Sequence, residues 1–88
     1  MYRVTLTCSG LTEAEGATAV DDILEEFRNR PWQRNVTCEW KDGFLQLSGT
    51  NEVDENGLAL LDEFGDAISA CVNCSGQIHV AVESVVRV

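Results

Sequence analysis

Basic side chains are scarce: six Lys and Arg face fifteen Asp and Glu, leaving a net charge of −9. That balance argues against direct nucleic-acid binding and against anionic membranes, and it favours basic partners. Proline occurs once and glycine seven times in 88 residues of which 44% are apolar, a composition that excludes a disordered chain. No apolar run approaches the ~20 residues of a membrane span. Residues Met1 to Cys8 lack an apolar segment followed by small cleavage-site residues, so no secretory signal is read and a cytoplasmic protein is expected. In that compartment Cys8, Cys38, Cys71 and Cys74 are expected to be reduced thiols.

The length fits one domain spanning residues 1–88. Residues 2–8 alternate, with Tyr2, Val4, Leu6 and Cys8 on one face and Arg3, Thr5 and Thr7 on the other, the pattern of a half-buried strand. Thr12 and Glu15 then have the spacing of a capping box. Ala17, Val20, Ile23, Leu24 and Phe27 form a helical stripe, with Asp21, Asp22, Glu25 and Glu26 opposite. Pro31 ends this helix near Arg28 or Asn29.

Asp42-Gly43 suits a type I′ turn, which requires positive φ at both central positions. A tip there pairs Lys41 with Phe44, Trp40 with Leu45, Cys38 with Leu47 and Val36 with Gly49. Asn51 or Asp54 can cap a second helix, whose stripe is Leu61, Phe64, Ile68 and Cys71, widened by Leu60 and Val72. Gly57 and Gly65 are expected to weaken that helix. In the last strand Ile78, Val80, Val82, Val86 and Val88 share one parity.

The order is strand, helix, hairpin, helix, strand, and neither helix can bury its stripe except against the sheet. Right-handed crossovers then give an α+β, two-layer, ferredoxin-like βαββαβ sandwich, its antiparallel sheet ordered 4-1-3-2 with both helices on one face. Such a fold hosts many activities, so function must be argued from side chains.

Chemistry-bearing motifs are thin. Cys71-Val72-Asn73-Cys74 closes a helix, where the dipole disfavours the thiolate that redox chemistry needs. Cys8, Cys71 and Cys74 lack a fourth ligand for structural zinc. His79 is the lone histidine, and Ser9-Gly10 lacks the glycines and lysine of a phosphate loop. A non-catalytic protein with no cofactor and no metal is expected.

Acidic residues carry the remaining signal. Glu13, Glu15, Asp21, Asp22, Glu25 and Glu26 belong to the first helical segment, and Glu52, Asp54, Glu55, Asp62, Glu63 and Asp66 to the second. No Lys or Arg interrupts the middle of either, although mixed signs stabilise an ordinary solvated helix. An acidic helical face of Glu15, Asp22, Glu25, Glu26, Glu55, Asp62, Glu63 and Asp66 is therefore the expected partner-binding site. Its rows repeat at one or two helical turns of ~5.4 Å, loosely like a phosphate backbone. The expected function is an inhibitor or immunity-type protein occupying the basic site of a partner, such as a nucleic-acid-binding protein. Arg28, Arg30, Trp32 and Arg34 form a secondary docking candidate, with Trp32 expected to cover the lower edge of the core. The alternative is a regulatory or ligand-binding module that dimerises through its last strand, where Val85-Val86-Arg87-Val88 lacks edge-protecting Pro or Lys.

Overall fold

A computed structural model describes residues 1–88, with elements in the order β1 (Tyr2–Ser9), α1 (Glu13–Phe27), β2 (Arg34–Lys41), β3 (Phe44–Asn51), α2 (Leu58–Cys71) and β4 (His79–Arg87). One antiparallel sheet runs β2-β3-β1-β4, the ferredoxin-like order expected from the crossovers. The central strands carry the core. Val4, Leu6 and Cys8 of β1 and Leu45 and Leu47 of β3 are fully buried beneath Ile23 and Phe27 of α1 and Leu60, Phe64 and Ile68 of α2. The edge strands contribute half-buried Val36, Cys38, Trp40, Val80 and Val82.

Local chemistry accounts for the boundaries. Thr12 and Glu15 form the capping box, with Thr12 Oγ1 accepting from the Glu15 amide at 3.1 Å and Glu15 accepting from the Thr12 amide at 2.8 Å. Helix α1 stops at Phe27, a few residues before Pro31. Asp42 and Gly43 take φ values of 54° and 82°, and the hairpin pairs Lys41 with Phe44, Trp40 with Leu45 and Cys38 with Leu47.

Four expectations are corrected. Ala17 is exposed: Ile23 and Phe27 are buried as expected and Val20 is half-buried against the core, but Gly16 and Ala19, not Ala17, complete the stripe of α1. Val36 does not pair with Gly49: the register shifts between Arg34 and Thr37, where Asn35 takes a φ of 52° and gives β2 one extra residue. Strand β4 bulges too. Thr5 pairs with Ser84 and Leu6 with Val82, so Glu83 is left over and the parity reverses beyond it. Val85 consequently packs on the core, while Val86 and Val88 are exposed. Finally, Gly57 is outside α2, at its N-cap with a φ of 80°, where a Cβ would stand 3.0 Å from Val82 and 3.2 Å from Val4. Only Gly lets the chain turn there without strain and still lie against the sheet.

Helix α2 has no side-chain cap at Gly57 and no acid in its first turn. Asp54 supplies the acceptors from outside: its carboxylate takes the Ala59 amide at 3.1 Å and the Leu60 amide at 2.9 Å. Asn51 shapes the approach, its Oδ1 accepting from the amides of Val53 (3.0 Å) and Asp54 (2.7 Å).

Candidate functional site

Both helices cover the same sheet face, which leaves their acidic sides turned to solvent. The structure divides the eight expected carboxylates into two groups. Glu25 pairs with Arg28 at 3.5 Å and Glu26 with Arg30 at 3.6 Å, one helical turn along the chain. Glu15 is held by the Thr12 amide and, through its other oxygen, by the Ser75 amide at 2.8 Å. Glu63 accepts from the Trp32 indole and from Gln33 Nε2, the latter at 2.8 Å. Asp22, Glu55, Asp62 and Asp66, joined by Asp21, stand exposed with no hydrogen bond or ion pair within the molecule.

Glu15 is thus a structural carboxylate. The Thr12 amide, with a smaller contribution from Ser75, holds its pKa below the ordinary value of 4.5. A lowered folded-state pKa adds stability that is present above the ordinary carboxylate range and lost as pH falls through the folded value. Urea unfolding at neutral pH and at about pH 3 should show wild type losing more stability on acidification than Glu15→Gln, which has no charge to lose. Equal losses would mean that the two amides do not favour the ionised form.

The basic cluster is dispersed. Arg30 lies over the Phe27 ring, 5.3 Å from its centroid, and donates to the Glu26 carbonyl at 2.9 Å. Arg28 is an exposed partner of Glu25, and Arg34 lies 3.7 Å from Glu52. Trp32 does not cover the core edge: it is 56% exposed. Its neighbour Gln33 is buried in its place, because an amide can link polar groups on two elements where an indole offers a single donor.

Gln33 belongs to a chain of polar groups that sequence reasoning missed. Its Nε2 donates to Glu63 at 2.8 Å, and its Oε1 accepts from Asn51 Nδ2 at 3.1 Å. Asn51 then holds the Asp54 amide, and Asp54 holds the start of α2. Gln33, Asn51 and Asp54 are all buried, and no buried side-chain polar atom in the protein lacks a partner. The two possible helix caps were the only trace of this chain in the sequence. Beside it opens a pocket of about 250 Å³, lined in part by Trp32, Arg34, Glu52, Val53, Ala59 and Glu63.

The four cysteines are free thiols in different surroundings. Burial pushes the Cys8 thiol up to about 11, with the nearby Cys74 adding to the shift, and burial pushes Cys38 up to about 12. Cys71, raised chiefly by desolvation and then by Asp22 and Glu26, sits 2.9 Å from the Ala67 carbonyl, and Cys74 is exposed. No three His, Cys, Asp or Glu side chains converge in a way that could hold a metal ion. On the helix-free face Arg3 donates to the Asn35 carbonyl (2.8 Å) and to Thr50 Oγ1 (3.1 Å), and Thr5 pairs with Ser48 at 2.9 Å. No helix is long and apolar enough to cross a membrane. No family model matches the chain, and no curated protein or solved structure matches it either.

Proposed function

We propose that this protein is a non-catalytic binding module that docks a basic protein surface through its helical layer. One observation carries the reading: Asp21, Asp22, Glu55, Asp62 and Asp66 are exposed and unpaired, and neither α1 nor α2 contains a Lys or Arg. Like charges along a helix cost about 0.2–0.5 kcal/mol per pair, and a cationic partner would offset that cost. A site that ordinarily meets phosphate, on a nuclease or other nucleic-acid-handling protein, has the complementary charge. The protein would then act as an inhibitor or immunity-type protein by occupying that site in place of the nucleic acid.

The test is electrostatic. For a purified basic partner recovered by affinity capture, a tenfold rise in salt should weaken binding by on the order of 100-fold. Asp22→Lys with Asp62→Lys should remove binding while leaving the thermal transition of the free protein in place. Salt-independent affinity ends this reading.

A second reading is favoured by the β4 bulge, which turns Val86 outward on an edge strand, with Val88 exposed just past its end. A homodimer joined along β4, acting as a regulatory or ligand-binding module, would cover them. Light scattering separates the two: a tight dimer supports this second arrangement, a monomer the first.

A further inference from the structure

We infer that the pocket beside Trp32 receives one arginine side chain of the partner protein, an inference that rests on the docking reading above. Size narrows the occupant first. The pocket holds about 250 Å³, below the ~300–1,000 Å³ of sites that enclose drug-sized ligands. It has room for one side chain.

The walls then select its chemistry. Trp32 is 56% exposed and Val53 80% exposed, and with Ala59 they offer apolar surface to a methylene stem. Carboxylates of Glu52 and Glu63 oppose the single cation Arg34, so the lining is net negative. An incoming carboxylate would be repelled. A purely aliphatic side chain would take water from Glu52 without giving it a partner, whereas Glu63 already accepts from Trp32 and Gln33. Arginine satisfies both needs, because its stem is apolar and its flat guanidinium stacks on an indole while bonding a carboxylate.

The molecule itself already places a guanidinium at this rim. Arg34 Nη2 lies 3.7 Å from Glu52 Oε1, with side chains 57% and 68% exposed. So exposed a pair is weak, and an arriving arginine can take over Glu52 while Arg34 turns to solvent. The receiving surface is also fixed beforehand. Glu63 holds the Trp32 indole, and the chain through Gln33, Asn51 and Asp54 holds Glu63 and the start of α2 together. A preformed wall loses little freedom on binding.

The probe is Nα-acetyl-arginine methylamide, titrated into the full chain and followed by amide and indole NMR signals. Saturable shifts are expected at the Trp32 indole and at the Val53 and Ala59 amides, with a dissociation constant on the order of 1 mM. The capped lysine should bind at least about threefold more weakly, because an ammonium cannot stack and fork at once. Trp32→Ala, a change at an exposed position, should abolish saturation, and Glu52→Gln should weaken binding severalfold. Arg34→Ala should tighten binding severalfold by freeing Glu52. Shifts that do not saturate, that survive Trp32→Ala, or that weaken in Arg34→Ala overturn the assignment. Because the probe needs no partner, failure here is separable from failure of the docking reading. Asp22→Lys with Asp62→Lys, outside the pocket, should remove partner binding and leave the arginine titration unchanged.

Discussion

Asp54→Ala is expected to lower the unfolding free energy by about 3 kcal/mol, read as a lower urea midpoint with an unchanged slope. The carboxylate is 3% exposed and is the acceptor for the amides of Ala59 and Leu60. Gly57 has no side chain to replace it, and the first turn of α2 holds no acid. Alanine would therefore leave two amides near the positive end of a helix without acceptors, one of them on fully buried Leu60. Ordinary cap removal costs about 0.5–2 kcal/mol because water can replace the lost oxygen. Burial makes that replacement harder, and the loss should exceed the ordinary range. Asp54→Asn, which keeps one acceptor and turns a donor toward the second amide, should fall between wild type and alanine. For a chain of 88 residues, total stability is about 4–13 kcal/mol, so the alanine variant is near the margin at the low end. A loss under about 0.5 kcal/mol, the size of an ordinary surface substitution, would mean that α2 is not held by this carboxylate.

The same carboxylate shows what a linear reading can and cannot reach. Elements whose signal is local were legible: the alternation through Val4, Leu6 and Cys8, the Thr12–Glu15 box and the Asp42-Gly43 tip all appear where periodicity and turn chemistry place them. Once the two helical stripes were seen, the sheet order followed from handedness, and the structure has that order. Asp54 was a cap candidate by composition, but its link to Gln33 through Asn51 spans two loops and exists only after folding. The bulges at Asn35 and Glu83 were hidden for a related reason. Each adds one residue to an edge strand, and a parity rule has no way to register an insertion whose cause is the partner strand.

The candidate site was legible in composition more than in detail. That acids gather on the helical layer could be counted, and the fold turns both acidic sides to solvent. The pairs Glu25–Arg28 and Glu26–Arg30 are at helical spacing and were within reach of the sequence. Glu63 was not, because its partners Trp32 and Gln33 lie 31 and 30 residues away. The exposed carboxylates that remain are fewer than the sequence offered, and they concentrate the docking argument on Asp21, Asp22, Glu55, Asp62 and Asp66.

Gly16 gives the second large effect, and its sign opposes helix propensity. Replacing a helix-interior glycine with alanine ordinarily stabilises by about 1 kcal/mol. Gly65, with open space around the position of a Cβ, should follow that rule. At Gly16 a Cβ would stand 2.1 Å from Cε3 of Trp40, so the β2 indole rests directly on the α1 backbone. Gly16→Ala must therefore displace the ring or lift the helix, a change that costs about 1–3 kcal/mol in packed surroundings. Destabilisation by about 2 kcal/mol is expected, against a gain of up to about 1 kcal/mol for Gly65→Ala. A double-mutant cycle locates the cause. Trp40→Leu alone loses indole packing, but in the Gly16→Ala background the methyl meets a smaller neighbour, so the paired loss should fall short of the sum by at least about 1 kcal/mol. Strict additivity, or stabilisation at Gly16 equal to that at Gly65, would show that Trp40 is free to move away and that the edge strand is not held to α1 by this contact.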